Sequence, residues 1–179
     1  MTILTLETTR LILTPITHDD WPFYYALHNA PGVMRYVADP HSAEELHTRF
    51  SARLQDWSKE SDQWLCLAVQ ERASGSKIGI SVFKPLWQPC QQAELGYLFL
   101  PEWHGRGYAL EAARAVIEFA FTICGFHKII ATVTAGNDPS VKLLEKAGFV
   151  QEGRLRDNFK LGGEWYDDLK FGLLAEDRR

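Results

Sequence analysis

Two glycines separated by one residue stand before a helix in His104-Gly105-Arg106-Gly107-Tyr108-Ala109. Glycine admits backbone shapes and close approaches that a side chain forbids. A helix behind such a turn begins with unpaired N–H groups and the positive end of its dipole. That combination suits a phosphate. Two well-defined phosphate loops do not fit. The dinucleotide loop needs a small residue three positions after its second glycine, where this chain has Leu110, and a P-loop needs Gly-Lys-Ser/Thr at the helix start. An ordinary strand–turn–helix accounts for this stretch equally well on its own. Other groups capable of chemistry lie nearby in sequence. Glu94 opens the strand that leads to the turn, and Asn137 and Ser140 stand around a second, shorter helix start.

Regular elements must hold these residues. Glu94 to Leu100 reads as a strand that Pro101 stops. Ala109 to Cys124 reads as a helix, with Leu110, Ala113, Ile117, Ala120, Phe121 and Cys124 at helical spacing. Lys128 to Val133 is a β-branched run and predicts a strand. Gly136-Asn137-Asp138-Pro139 ends it, and a helix over Ser140 to Lys146 follows, with Val141, Leu144 and Ala147 inward and Gly148 closing it. Phe149 to Leu155 and Glu164 to Leu174 read as strands joined by a loop from Asp157 to Gly163.

Upstream, Arg10 to Ile16 predicts a strand. Asp20 caps a helix with Pro22 in its first turn. That helix carries Trp21, Phe23, Tyr24, Tyr25 and Leu27, rings that are either core with a few at the surface or one wall of a substrate pocket. Ser42-Ala-Glu-Glu45 is a capping box, so a helix starts there with Leu46, Phe50, Leu54 and Trp57 as its buried stripe. His47, Arg49 and Arg53 fall off the stripe and are expected to be solvated. Trp64 to Gln70 and Ile78 to Pro85 form an antiparallel pair around Ala73-Ser74-Gly75-Ser76, and Gln88-Pro89-Cys90-Gln91 breaks the chain before the central strand. Early helices before the hairpin and later helices between strands indicate α+β, with a mixed, mostly antiparallel sheet flanked by helices in one domain over residues 1–179.

Composition narrows the partners. The chain is 46% apolar and 23% charged, with a net charge of −4 and no basic run, so a nucleic-acid surface is not expected. The acidic balance suits a cationic or amine-bearing substrate. Cys66, Cys90 and Cys124 are odd in number, far apart and without a CxxC, which predicts reduced thiols and a cytoplasmic setting. No signal peptide or membrane-length apolar run is read, and no histidine spacing suits a metal.

Two strings together identify a family resemblance. His104-x-x-Gly107-x-Ala109 resembles motif A of the GNAT acyl-CoA N-acyltransferases, Arg/Gln-x-x-Gly-x-Gly/Ala, departing at its first position. Asn137-x-x-Ser140-x-x-Leu143-Leu144-x-Lys146-x-Gly148-Phe149 resembles motif B, with Leu144 where many members carry tyrosine. The thirty residues from Gly107 to Asn137 fit one helix plus one strand. Thr9-Arg10-Leu11-Ile12-Leu13, Glu152-Gly153-x-Leu155-Arg156 and Trp165-x-Asp167 look like the RimJ/RimL branch, the ribosomal-protein N-terminal acetyltransferases.

The resemblance implies a GNAT-like fold and transfer of acetyl from acetyl-CoA, a co-substrate, to an amine on a small molecule or a protein N-terminus. It implies that Gly105 to Ala109, including Arg106, Gly107 and Tyr108, bind the cofactor's phosphate side, with His104. Main-chain N–H groups around Leu98 and Phe99 would hold the oxyanion if the central strand splays from its neighbour. Asn137 would bind the pantetheine arm. Glu94 would be the base, directly or through one water, against an alternative as a salt-bridging strand-edge residue. Ser140 would be the acid in place of the missing tyrosine, against an alternative as a backbone cap. No membrane partner is expected, and a homodimer is a further expectation. A protein that binds acyl-CoA without transferring it is the alternative that Leu144 keeps open.

Gly107→Asp should place a side chain and a negative charge against the phosphates. Acetyl-CoA affinity should fall about tenfold or more, about 1.4 kcal/mol. Unchanged affinity by calorimetry in a folded Gly107→Asp protein would contradict this reading.

Overall fold

A sheet of eight strands carries the molecule, with helices on both faces. The computed structural model describes residues 4–177; the outermost residues of the expected domain, 1–3 and 178–179, lie outside the described residues. In chain order the main elements are β1 (Leu6–Glu7), β2 (Leu11–Pro15), α1 (Trp21–Asn29), α2 (Ala43–Ala52), β3 (Leu65–Glu71), β4 (Lys77–Leu86), β5 (Gln92–Phe99), α3 (Tyr108–Glu118), β6 (Lys128–Thr134), α4 (Asp138–Lys146), β7 (Val150–Leu161) and β8 (Glu164–Leu174). The strands lie side by side as β1-β2-β3-β4-β5-β6-β8-β7. Each neighbouring pair is antiparallel except β5 and β6, which α3 joins in parallel. A parallel pair needs such a crossover, and the long helix supplies it.

The two faces bury separate cores. Alternation along β5 sends Leu95 and Phe99 to one face, where they pack with α3 residues Ala112, Val116 and Ile117 and with Leu144 of α4. Leu98 points to the other face, among Tyr24 and Leu27 of α1 and Leu46 and Phe50 of α2. The capping box forms as predicted, with Ser42 Oγ accepting from the Glu45 N–H and the Glu45 carboxylate accepting from the Ser42 N–H. The rings of α1 divide: Tyr24 is buried, while Tyr25 is exposed.

Three expectations change, and one strand was not foreseen. Helix α2 ends at Ala52, so Trp57 leaves its stripe and packs on the opposite core, 6.2 Å from the Phe83 ring and 6.1 Å from Phe119. The helix after the glycine turn is α-helical only to Glu118. It then widens into a π turn over Phe119–Ile123. The residues Phe119, Ala120, Phe121 and Cys124 are all buried, more than one narrow helical stripe can turn inward. The predicted loop at Asp157 is instead strand. β7 runs to Leu161, and only Gly162 and Gly163 turn it into β8. A register shift between Leu155 and Phe159 accommodates Asp157 at a φ of 47°, and the Asp167 carboxylate fastens this bulge by accepting from the Asp157 N–H at 2.9 Å and from Arg154. Finally, the two-residue strand β1 had no sequence signal of its own.

Candidate active site

β5 and β6 pair only through Gln92–Lys128, Ala93–Ile129 and Glu94–Ile130. Beyond Glu94 they part. β5 stays with β4 as far as Phe99, and β6 stays with β8 as far as Thr134. Backbone groups of successive strand residues point to opposite sides. The Gln91 carbonyl accepts from the His127 N–H on the β6 side, and the Leu100 N–H donates to Ile78 on the β4 side. By that alternation Tyr97 and Phe99 turn their amides into the opening, whereas Leu98 turns its amide to β4. Of the two expected amide positions only Phe99 faces the gap; Tyr97 is the second, and Leu98 contributes its side chain to the wall. His104 Nε2 donates to the Phe99 carbonyl at 2.8 Å, replacing a strand partner that has moved away.

The glycine turn closes one end of this opening. Gly105 and Gly107 have φ of 73° and 80°, a region that side chains disfavour, and Gly107 is the N-cap of α3. A Cβ on Gly107 would stand 3.4 Å from Arg10 Nη2. Arg10 holds the turn from outside. It donates to the Arg106 carbonyl at 2.9 Å, pairs with Glu111 at 2.6 Å, and lies 4.3 Å from the centre of the Tyr108 ring. Thr8 also donates to Glu111. Partial burial raises the Glu111 carboxyl, but hydrogen bonds from Thr8 and Arg10 outweigh it and hold the group below the ordinary carboxylate range. The Arg106 guanidinium sits 5.3 Å from the Trp103 ring at the rim, outside the cavity wall.

Helix α4 supplies the other side. Asn137 is its N-cap and lines the opening, with no partner for its side-chain amide among the described residues. Ser140 does not cap the helix. Its hydroxyl lies near the phenol of Tyr97, which reaches across from β5, and lowers the pKa of that phenol. Burial raises the Tyr97 pKa against the lowering effect of Ser140, so the phenol is protonated at neutral pH. Leu144 is 1% exposed and belongs to the core.

All of this opens into one cavity of about 1080 Å³ that passes through the parted sheet. On the α3/α4 face it is lined by His104, Gly105, Gly107, Tyr108, Ala109, Asn137 and Ser140; on the α1/α2 face by Tyr24, His28, Arg49, Arg53, Trp64 and Leu98. The segment between α1 and α2 roofs it. The Tyr36 carbonyl accepts from Thr134 at 2.9 Å, and Asp39 accepts from the Gly162 N–H at 2.7 Å. Arg49 and Arg53, expected to be solvated, thus face the cavity. His47 and Arg49 are exposed, as expected, and His47 also packs edge-on against Trp21 at 4.9 Å. Glu94 does not line the cavity. It is half-buried one strand repeat before Gly96, on the same face as Leu98, and its side chain has no partner among the described residues. Asp168 is the one carboxylate on the wall among the described residues, buried and accepting from Asn158 Nδ2 at 2.7 Å.

Sequence reasoning missed Tyr97, Arg49 and Arg53, and saw Arg10 only as part of a string. The parity that groups Tyr97 with Phe99 was available; the facing of α2 onto an opening was not.

Residues 10–150 match the acetyltransferase (GNAT) domain. The uncharacterized N-acetyltransferase YoaA of Bacillus subtilis is 34% identical over 94% of this chain and 96% of its own. Among solved structures, a GNAT-family acetyltransferase from Bacillus anthracis superposes with a TM-score of 0.83 at 25% identity, covering 97% of this chain and 99% of that one. Spermidine N-acetyltransferase from Vibrio cholerae, in complex with CoA and spermine, gives 0.82 at 26% identity over 95% and 98%. The chain belongs to the GNAT acetyltransferase family and has its fold: an N-acetyltransferase for which acetyl-CoA is the co-substrate.

The residues present fit that co-substrate. The open space over Gly105, the free first-turn amides of α3 and the unpaired amides of β5 form one continuous polar track. If Arg10 holds the turn in shape, Arg10→Ala should weaken acetyl-CoA binding about five- to tenfold by calorimetry without unfolding the protein, since the side chain is 41% exposed. The Glu111 carboxyl is held low, so the clamp is complete above the ordinary carboxylate range and is lost only as pH falls through the lowered value. The difference between wild type and Arg10→Ala should therefore be full at neutral pH and close only as pH falls below the ordinary carboxylate range. Equal affinities at neutral pH would show that the turn needs no clamp.

Proposed function

We propose that this protein transfers acetyl from acetyl-CoA to a primary amine by direct attack in a ternary complex. The observation that carries the reading is the parting of β5 from β6 into a cavity that reaches both faces of the sheet, with the glycine turn at one end. A cofactor and an acceptor can thus meet from opposite sides. Acetyl-CoA supplies a thioester whose carbonyl carbon accepts the amine and whose sulfur leaves. The amides of the turn from Gly105 to Ala109 hold its phosphates, with His104 and Arg106 at the rim. Asn137 offers its free amide to the pantetheine arm. The Phe99 and Tyr97 amides take the charge that develops on the thioester oxygen, the Phe99 amide directly beside the carbonyl that His104 fixes.

Proton traffic runs on two sides. The acceptor amine must be neutral to attack, and we assign its proton to Glu94 through one water, because Glu94 is unpartnered and lies on the acceptor face just beyond the cavity wall. On the other side Ser140 acts on the leaving sulfur through Tyr97. The Tyr97 phenol, which burial keeps protonated, holds a proton that can hydrogen-bond the thiolate, with the Ser140 hydroxyl beside it. This pair supplies the hydroxyl that Leu144 does not. The strings around Arg10 and Asp167, which brace the turn and the β7 bulge, support placement in the RimJ/RimL-type branch. Reduced cysteines, two of them buried, support a cytoplasmic setting.

Glu94→Gln keeps shape and removes basicity. Turnover should fall about a hundredfold, with acetyl-CoA affinity unchanged and the activity profile moved to higher pH. If Glu94→Gln keeps its rate and profile while Asp168→Asn loses both, the proton goes to Asp168 instead.

A further inference from the structure

The acceptor end of the cavity is lined by cations that form no close ion pair among the described residues. Arg49 projects from α2, Arg53 from the residue that caps its C-terminal end, and Arg35 from the roof segment. None of the three forms an ion pair among the described residues, although Arg10, Arg72 and Arg154 each do. The rings and the thiol around Arg53 are uncharged, whereas Arg49 lies close enough to Glu45, one helical turn back, to help lower that carboxyl. The Arg53 guanidinium lies 5.5 Å from the Trp64 ring and 6.0 Å from the Tyr24 ring. It also lies near the Cys66 thiol, which burial pushes up to about 11 and which is therefore uncharged. The Tyr24 phenol is likewise raised by burial. His28 donates Nδ1–H to the Tyr24 carbonyl at 2.7 Å, and burial, with Arg53, His41 and Arg49, keeps it neutral. The carboxylates near this end are already engaged: Glu45 stands 4.0 Å from His41, and Asp168 accepts from Asn158 and faces Lys170 at 3.8 Å.

The cofactor's phosphates do not account for these arginines. The glycine turn and α3 pack on one face of the sheet, and α2 packs on the other. Lys142 and Lys146 of α4 already line the cofactor side. A polyamine would bring further positive charge to a wall whose one carboxylate among the described residues, Asp168, already accepts from Asn158, whatever the overall net charge of −4 suggests. The roof, tied to Thr134 and Gly162, encloses the end and suits a small molecule over a protein chain.

We propose that the acceptor is a small amine that also carries a carboxylate, of the α-amino-acid class, and that Arg49 and Arg53 hold that carboxylate while the amine points to the parted strands. This rests on the acetyl-transfer reading above. Guanidinium groups bind carboxylates through paired N–H donors, and the flanking rings of Tyr24 and Trp64 keep Arg53 facing inward.

The test compares thiol release from acetyl-CoA with the standard α-amino acids, the carboxamide of each, spermidine and spermine, using wild type, Arg53→Gln and Arg49→Gln. At least one amino acid should exceed its own carboxamide about tenfold or more in kcat/KM, and spermidine should be poorer than that acid. Arg53→Gln should raise KM for the acid about tenfold, leave KM for acetyl-CoA unchanged and bring acid and carboxamide together. Arg49→Gln gives an independent reading should Arg53→Gln fail to fold. Carboxamides or polyamines that match or exceed the acids would overturn the proposal and leave acetyl transfer standing. Release with no amine at all would also overturn it, and calorimetry with acetyl-CoA would then show whether the cofactor assignment falls with it.

Discussion

The structure depends on two parallel strands that stop pairing. β5 and β6 share three residue pairs and then separate, each remaining bound to its other neighbour. Backbone N–H and C=O groups left unpaired inside a protein cost about 1–3 kcal/mol each, so an opened sheet is stable only where something else takes up those groups. His104 does so for the Phe99 carbonyl. The Tyr97 and Phe99 amides face the opening. Much of the surrounding fold holds this opening apart: α3 carries the chain across it, α4 sits beside it, and the segment between α1 and α2 covers it.

Within that frame the two faces of the sheet have separate tasks. The α3/α4 face presents glycine-turn amides, Asn137 and the Tyr97–Ser140 pair. The α1/α2 face presents rings and arginines. A chain with a net charge of −4 thus keeps an arginine-lined wall inside it. Net charge describes the whole surface, while recognition depends on the few charges left unpaired where the substrate sits.

How much of this could be read from the sequence follows from the range of each interaction. The glycine turn, the capping box at Ser42 and the short helix closed by Gly148 are written in neighbouring residues, and they formed as read. Boundaries moved where tertiary packing overrode local pattern: Trp57 joined a different core, and Asp167, ten residues away, turned the region at Asp157 into a bulged strand. The site was half legible. Phe99, Asn137, Ser140 and the turn residues from Gly105 to Ala109, apart from Arg106 at the rim, line one cavity with His104. Glu94 falls just outside, because the parting begins only after it. Tyr97 meets Ser140 across a gap between elements far apart in sequence, and Arg53 faces the cavity because of where α2 docks; no local spacing encodes either contact.

Residue-resolved amide hydrogen exchange, with and without acetyl-CoA, tests the central claim most directly. If the parted edge of β5 binds the thioester arm, Tyr97 and Phe99 exchange faster than Leu98 in the free protein, because Leu98 is held by β4. On saturation with acetyl-CoA they should slow about tenfold or more, with Leu98 changing no more than the sheet as a whole. Tyr97 and Phe99 amides already as protected as Leu98 in the free protein, or unchanged by saturating acetyl-CoA, would contradict the account.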